Sequence, residues 1–289
     1  SADYEVPHIA HVPLEPVNAT AHVTDSSCEL WLPTQAPSFV RDAAATLTGL
    51  DASQITVHPA LLGGGFGRKS GTDYADAAIR IAQVVPGPIT LIWSREEDMR
   101  RDQFRPAFAG RMVGMLDAND KLSGWDAINC GDSVLGFGEG DPLSPQGFGD
   151  LPYAIANQRV RHVYVPSPIK SGFWRSIGHS QNTFFAESFI DEMAHLAGTD
   201  PVAFRLDMLG ESPRTKNVIE RAAKLGRWGE PFTAGASQGI AICTGYGSFI
   251  AVVCEASVDK EARTVTVHHY FAVVDCGTVV QPTGVKAQV

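Results

Sequence analysis

The first hundred residues alternate between two hydrophobic patterns. Apolar side chains recur at helical spacing over Pro37–Leu47 and over Asp73–Val85, and this spacing predicts a helix at each position. Short apolar runs at Ile55–Leu62 and Ile89–Trp93 predict strands on either side of the second helix. Residues 4–32 alternate polar and apolar positions between prolines, which is typical of extended segments.

The middle of the chain favours a hairpin, a long loop and a group of helices. Alternation over residues 108–130, with an Asp-Ala-Asn-Asp turn at 117–120, predicts an antiparallel hairpin. Residues 131–158 are rich in Gly and Pro and predict a loop, and loops of that length are usually functional or form partner surfaces. Downstream of this loop we predict a short strand at Val160–Val165 and helices at Gln181–Ala197, Pro201–Leu209 and Lys216–Leu225.

After Pro231 the pattern changes from helices to strands. Alternating and apolar runs predict three strands, at Gly239–Tyr246, Phe249–Val258 and Thr264–Asp275. A charged turn at residues 259–261 joins the second strand to the third. We therefore expect a domain boundary near residue 232, which divides the chain into residues 1–231 and 232–289.

Composition narrows the class of protein. Of the 289 residues 44% are hydrophobic, too many for a disordered chain, and no apolar run reaches the roughly 18 residues of a membrane helix. The net charge of −9, from 23 Lys and Arg against 32 Asp and Glu, does not favour nucleic-acid binding. The 28 glycines predict either many turns or a surface where a ligand approaches the backbone.

Five cysteines are spread along the chain without a metal-binding motif. None lies two or three residues from another, so the sequence contains no Cys-x-x-Cys motif for zinc or an iron–sulfur cluster. Their number is odd and the chain is not small, so we expect buried thiols rather than a disulfide framework. The N-terminus lacks a signal-peptide pattern and a Met, so we expect a processed chain or an excised piece.

The sharpest local feature is a glycine-rich stretch, Gly63–Gly67, between a predicted strand and a predicted helix. Four Gly within five positions offer backbone N–H groups beside a helix end, which suits an anionic ligand, phosphate above all. Gly63–Ser70 also resembles a P-loop, but Arg68 stands at the second required glycine and the strand Ile89–Trp93 lacks a terminal Asp. A cofactor surface, a nucleotide-binding loop and a turn without a ligand all remain open at this point.

The stretch Leu62–Lys69 resembles the Gly-Gly-Gly-Phe-Gly loop of the large, molybdopterin-binding subunit of the xanthine dehydrogenase family. Four further stretches resemble the isoquinoline 1-oxidoreductase beta-subunit and aldehyde oxidoreductase branch and come in its order, namely His11–Ala21, Leu32–Pro37, Phe173–Glu192 and Val274–Gln288. The resemblance covers essentially the whole chain. It implies an α+β fold of the aldehyde oxidase/xanthine dehydrogenase type, with mixed sheets and packed helices. It also implies a first molybdopterin-binding domain over 1–231 and a partial second one over 232–289.

The resemblance assigns roles to particular residues. Gln35 and Arg175 match catalytic positions, where glutamine donates a hydrogen bond to an oxygen ligand of molybdenum and arginine stabilises developing negative charge. Phe66 and Trp174 match positions that line the substrate pocket. The cofactor implied is molybdopterin carrying molybdenum, as its cytosine dinucleotide, bound without direct metal ligation by the residues Gly63, Gly64, Gly65, Phe66, Gly67, Arg68, Gln35 and Arg175.

Several departures from the family pattern limit what this chain can do. Ser70 stands where purine-oxidising members have an acidic residue, which makes purine doubtful as the substrate. The general-base glutamate of the family lies beyond Val289, and the Gly-Gln-Gly segment expected upstream is absent. His11 and His179 are candidates for acid–base groups, but lone histidines are more often structural.

The whole pattern predicts a fragment of a molybdenum hydroxylase that acts on an N-heteroaromatic or an aldehyde and is inactive by itself. Because the chain has no cysteine cluster, [2Fe–2S] clusters are expected only on an iron–sulfur small subunit. The other partners implied are the remaining segments of the large subunit, cytochrome c and a small-molecule substrate. The resemblance alone favours a periplasmic or membrane-associated location. A P-loop-like nucleotide-binding enzyme and a cofactor-free assembly module are the alternatives.

Overall fold

Three β-sheets and seven α-helices form the protein, and the computed structural model describes residues 1–289. The helices are α1 Pro37–Thr48, α2 Asp73–Ala82, α3 Arg95–Arg100, α4 His179–Leu196, α5 Pro201–Met208, α6 Pro213–Leu225 and α7 Pro282–Gln288. The strands are β1 Ala2–Val6, β2 Asn18–Val23, β3 Cys28–Leu32, β4 Ile55–Pro59, β5 Ile89–Ile92, β6 Phe108–Leu116, β7 Leu122–Gly131, β8 Asn157–Tyr164, β9 Ser237–Gly245, β10 Ser248–Asp259 and β11 Thr264–Asp275. The predicted α+β fold with mixed sheets is confirmed.

The first sheet has the strand order β4-β3-β2-β5 and is covered by α1 and α2. Alternate side chains of β2 and β3 are buried, as expected for strands with one face on a core. They join the inward stripe of α2 in a cluster of 14 buried residues that spans Val17 to Ala82. β3 and β4 run parallel, so the segments that follow them leave the sheet at the same edge.

The second sheet has the order β1-β6-β7-β8, and α4 lies on it. The predicted hairpin is confirmed, since β6 and β7 are antiparallel and turn at residues 117–120. Phe185, Phe189 and Met193, which recur at helical spacing along α4, are buried in the core beneath this sheet. β8 pairs parallel to β7, a pairing that hydrophobic alternation alone does not specify.

The third sheet, β11-β10-β9, packs on α4 and α6. Ile240, Ile242, Ala251 and Val253 lie in the same cluster of 25 buried residues as the core of the second sheet. The hydrophobic core therefore continues across residue 232, and the domain boundary predicted there stays a prediction.

Some elements differ from the sequence-based expectation. The hydrophobic pattern does not predict α3 and α7, since both have fewer than two turns and a repeat is not visible over that length. β4 ends at Pro59 rather than Leu62, and α2 ends at Ala82, which leaves Val85 on the surface. No helix of the protein is both long enough and apolar enough to cross a membrane.

Candidate functional site

Residues 63–67, called the glycine loop from here on, lie at the edge of the first sheet where β3 and β4 both end. Because these strands are parallel, Gln35, which follows β3, comes beside the glycine loop, which follows β4. A Cβ atom on Gly65 would collide with the Gln35 amide, and one on Gly67 would collide with the Phe173 carbonyl oxygen. Gly67 also has a φ of 108°, so a side chain there is excluded both by the collision and by the backbone conformation.

Three of the five backbone N–H groups of the glycine loop have no acceptor in the chain. Gly63 N–H donates to Glu15 Oε2 at 2.8 Å, and Gly67 N–H donates to Gln35 Oε1 at 3.1 Å. The N–H groups of the three residues between them, Gly64, Gly65 and Phe66, make no hydrogen bond within the protein. Gly65 is a buried residue, and a buried N–H without an acceptor is rare unless a ligand or water supplies one.

The three residues that carry these donors line a cavity of about 550 Å³. Its walls come from four parts of the chain, namely Gln35, Leu62, Gly64, Gly65, Phe66, Gly67, Ser70, Phe173, Trp174, Arg175, Ile177 and Gln288. Arg175 N–H donates to Phe66 O at 2.8 Å, which joins the segment before α4 to the glycine loop. The structure thus brings Gln35, Phe66, Trp174 and Arg175 around one cavity, as the resemblance implied, whereas Gly63 is not part of its wall.

Besides Gly63, Arg68 is a predicted cofactor contact that the structure does not place at the cavity. Its side chain is buried, with Nη1 2.8 Å from Asp73 Oδ1 and Nε 3.0 Å from Asp102 Oδ1. Burial opposes its charge, but these carboxylates outweigh that effect and raise the pKa of Arg68. The backbone N–H of Arg68 donates to Gly65 O at 2.9 Å and is therefore not free to bind a ligand. Arg68 therefore supports the glycine loop from inside the protein, and its role as a direct cofactor contact stays a prediction.

Lys69 excludes the P-loop alternative on geometric grounds. A P-loop lysine must reach the phosphates, but Lys69 is fully buried and its Nζ lies 2.5 Å from Glu15 Oε2. Burial alone would raise the pKa of Glu15, yet the hydrogen bonds from Lys69 and Gly63 lower that pKa below its ordinary value. The residues after the glycine loop form a 3-10 turn, Arg68–Ser70, and not the first turn of a long helix.

The two histidines that are candidates for acid–base groups do not line the cavity. His11 is buried, with Nδ1 3.0 Å from Asp102 Oδ1 and Nε2 2.7 Å from Phe173 O. His179 lies at the start of α4, where its Nε2 is 3.2 Å from Asp150 Oδ2. No carboxylate or imidazole belongs to the cavity wall, so these residues can bind and polarise a ligand but cannot accept its proton.

Sequence reasoning missed the carboxylates that support the site. Glu15 holds one end of the glycine loop, and Asp102 holds the His11 and Arg68 side chains behind its other end. Glu15 stands in the His11–Ala21 stretch, so the resemblance marked it without a role. Asp102 follows a largely charged stretch at residues 95–101. Nothing in that stretch distinguishes Asp98 and Asp102, which are buried, from Glu96 and Glu97, which are not.

The donor set fits a large anionic cofactor. Three free N–H groups, one guanidinium and the Gln35 Nε2 group, which has no acceptor in the chain, surround a single cavity. Backbone donors of this kind bind phosphate and other oxyanions, because they point at the ligand without a side chain in between. The protein contains no group of three or more His, Cys, Asp or Glu side chains that could hold a metal ion by themselves.

Comparison with known proteins gives a family. The model of the family described as "Molybdopterin cofactor-binding domain" matches residues 1–209. The chain is 30% identical over 295 residues to the beta subunit of isoquinoline 1-oxidoreductase of Brevundimonas diminuta, an alignment that covers 97% of this chain and 38% of that protein. It is 28% identical to a membrane-bound aldehyde dehydrogenase of Gluconacetobacter polyoxogenes, over 99% of this chain and 41% of that protein.

Solved structures agree on the fold. Aldehyde oxidoreductase from Desulfovibrio gigas superposes with a TM-score of 0.68 at 22% identity, over 92% of this chain and 32% of that one. Quinoline 2-oxidoreductase from Pseudomonas putida 86 superposes with a TM-score of 0.71 at 17% identity, over 87% of this chain and 35% of that one. The chain spans less than half the length of each of these relatives. With its glycine loop, its free backbone donors and the family match over most of its length, the chain belongs to the molybdopterin cofactor-binding domain family.

Proposed function

We propose that this chain is part of the large subunit of a molybdenum hydroxylase, where it binds molybdopterin and lines the substrate pocket. The observation that carries the proposal is the set of free N–H groups at Gly64, Gly65 and Phe66 beside Gln35 and Arg175. The reaction converts a C–H bond of an N-heteroaromatic or an aldehyde to C–OH with oxygen from water, and releases two electrons and two protons. Bound molybdenum supplies the oxygen-transfer and two-electron chemistry.

The residues of this chain bind the cofactor and orient it. The free N–H groups hold the anionic cofactor, and Gln35 Nε2 donates to an oxygen of the bound group, since Gly67 N–H already fixes Gln35 Oε1. Arg175 stabilises negative charge in the cavity. Phe66 and Trp174 form its apolar wall, and Phe66 is about half exposed, which leaves its ring free to contact a ligand.

The proton acceptor and the electron path lie outside this chain in the proposal. The cavity wall holds no group that could act as the general base, so a carboxylate from another part of the protein has that role. Several relatives are named as single subunits of larger enzymes, such as one from the nicotinate dehydrogenase of Pseudomonas putida. By analogy, we place the [2Fe–2S] clusters on an iron–sulfur small subunit, with a cytochrome c as a further electron acceptor.

The decisive experiment measures cofactor content. Protein produced from its own gene, with its natural neighbours, should contain molybdenum and pterin in equal amounts, and mild hydrolysis should release cytidine monophosphate. Release of a different nucleotide would correct the dinucleotide and leave the rest of the proposal in place. A folded protein with neither molybdenum nor pterin would refute it. The isolated 289-residue chain, supplied with cofactor, should show no dye-linked turnover of an aldehyde or of isoquinoline.

A further inference from the structure

A buried ionic cluster lies behind the glycine loop and outside the cavity. It consists of His11, Asp102, Arg68 and Asp73. The His11 and Arg68 side chains are fully buried, and that of Asp102 is 2% exposed. Arg68 pairs with Asp73 through two hydrogen bonds of 2.8 and 2.9 Å, and the function proposed above uses none of these side chains.

His11 connects this cluster to the segment that carries Arg175. Its Nδ1 lies 3.0 and 3.1 Å from the two Asp102 oxygens, and its backbone N–H donates to Asp102 at 2.5 Å. Its Nε2 lies 2.7 Å from the carbonyl oxygen of Phe173, 162 residues away in the sequence. A carbonyl oxygen can only accept, so Nε2 is the donor of that bond.

The Phe173 carbonyl is also where the glycine loop makes its closest approach. A Cβ on Gly67 would overlap this carbonyl, so the two backbones are in direct contact there. Two residues further on, Arg175 N–H donates to Phe66 O at 2.8 Å. Trp174 lies between Phe173 and Arg175 in the sequence, and the centroid of its ring is 4.5 Å from that of the His11 ring. His11 therefore touches the backbone and the aromatic side chain that form one wall of the cavity.

We propose that His11 is a positioning residue, which holds the Phe173–Arg175 segment against the glycine loop through its Nε2–H bond to the Phe173 carbonyl. Asp102 orients the ring from the opposite side, as a carboxylate does when it fixes a histidine. Both ring nitrogens are engaged and neither faces the cavity wall, so His11 has no catalytic role. The inference rests on the proposed function only where it concerns the cofactor. The effect of His11 on the backbone does not depend on that function.

Two substitutions separate the two ring nitrogens. His11→Gln places an amide N–H near the position of Nε2 and keeps a donor for the Phe173 carbonyl. His11→Asn places the amide near Nδ1 and keeps only the contact with Asp102. His8→Gln is the matched control, since His8 lies three residues away and its side chain makes one hydrogen bond, with Ser167 Oγ at 3.4 Å.

The readout is hydrogen exchange of the Arg175 amide in the folded protein produced from its own gene. We expect His11→Asn to accelerate this exchange about tenfold, because a buried donor bond to the segment is lost, and His11→Gln and His8→Gln to leave it within about threefold of the parent. Equal acceleration in both His11 variants, or none in either, would overturn the inference. Global unfolding by urea, measured in parallel, shows whether exchange follows local opening or general destabilisation.

A measurement on the unmodified protein covers the case in which His11→Asn does not fold. If His11 joins the segment to the glycine loop, the amides of His11, Gly67 and Arg175 should exchange through one common opening, at corrected rates within about threefold of each other. Independent and faster exchange at Arg175 would overturn the inference. Molybdenum content then separates the two proposals, since a protein without molybdenum that still shows this pattern contradicts the proposed function and not the role of His11.

Discussion

Gly65 and Gly67 differ in what an added side chain would meet. On Gly65 the Cβ collides with the Gln35 side-chain amide, which can move, whereas on Gly67 it collides with backbone at Phe173. Gly67 also holds a left-handed φ of 108°, which Gly65 does not. A substitution at Gly65 therefore tests the site, and one at Gly67 tests the fold.

We expect Gly65→Ala to displace the Gln35 amide and break its bond to Gly67 N–H while the protein stays folded. The free energy of unfolding should change by about 1 kcal/mol or less, and bound molybdenum should fall about tenfold. Metal analysis and urea unfolding of the same preparation check both parts. Gly149→Ala is the control, because its Cβ would meet only one atom, at 4.0 Å. Full molybdenum content in Gly65→Ala would contradict the assigned geometry.

Asp102 makes stability depend on pH in a defined direction. Burial alone would raise the pKa of Asp102, but hydrogen bonds from His11 and the Arg68 charge lower it below its ordinary value of 3.8. The unfolded carboxyl takes up its proton at higher pH than the folded one. The stabilisation is therefore complete above about pH 4 and is lost as pH falls through the lowered value.

Asp102→Asn should remove this part of the pH dependence. We expect the urea midpoint of the parent protein to fall more steeply than that of Asp102→Asn as the pH drops from about 4.5 to about 3. Asp25→Asn, a change at an exposed turn residue, serves as the control and should keep the slope of the parent. Identical slopes in Asp102→Asn and the parent would show that Asp102 does not titrate abnormally.

At the scale of elements, one buried cation joins α4, α5 and β9. Arg205 of α5 lies 3.0 Å from Glu187 and 2.6 Å from Asp191, both on α4. Glu187 also accepts hydrogen bonds from Tyr153 at 2.8 Å and from the Ile242 N–H of β9 at 2.9 Å. Every charged or polar group of this network has a hydrogen-bond partner. Such a network contributes to stability and also specifies how the elements pack.

Removing the cation alone should be costly. Arg205→Met leaves Glu187 buried without its ion pair, and we expect a loss of about 3–5 kcal/mol in the free energy of unfolding. The double variant with Glu187→Gln should recover part of this loss, because the uncompensated charge is gone. Lys121→Met is the control, since Lys121 and its partner Asp207 are both more than half exposed, and its urea midpoint should hardly change. A single variant as stable as the control would contradict the network.

At the scale of the whole molecule, the structure contains two separate hydrophobic clusters. One spans Val17 to Ala82 beneath the first sheet, and the other spans Phe108 to Val253 beneath the second and third sheets. Links between the two include the His11 cluster and the bond from Arg175 to the glycine loop. The cavity of the candidate site thus lies where the two hydrophobic clusters meet.

We expect the two clusters to open as separate cooperative units. Amides of β2, β3 and α2 should share one free energy of opening in native-state hydrogen exchange, and those of β6, β7 and α4 should share another. The dependence of exchange on low urea concentrations distinguishes the two groups. A single opening energy for all six elements would show that the cavity region couples the clusters completely.

The sequence alone predicted much of the local structure, and the family resemblance named several residues that line the cavity of the candidate site. Hydrophobic period and caps predicted α1, α2, α4, α5 and α6, because their buried stripes are long enough to show a repeat. The adjacent motif residues Gly64–Gly67, together with Gln35, Trp174 and Arg175, do meet at one cavity. A short helix such as α3 has less than two turns, so its pattern is not distinguishable from a charged loop.

Only the tertiary structure decided which polar groups face the ligand and which support it. Arg68 and Lys69 stand in the same motif as the glycine loop, yet both side chains are buried. Arg68 pairs with the nearby Asp73 and the distant Asp102, and Lys69 pairs with the distant Glu15. Asp73 begins α2, whereas Glu15 precedes β2 and Asp102 follows α3, so two of these three partners come from segments far from the glycine loop in the sequence. The sequence by itself thus determined the donors of the site, since backbone N–H groups need only glycine, whereas the charges around them depend on long-range contacts that no local pattern encodes.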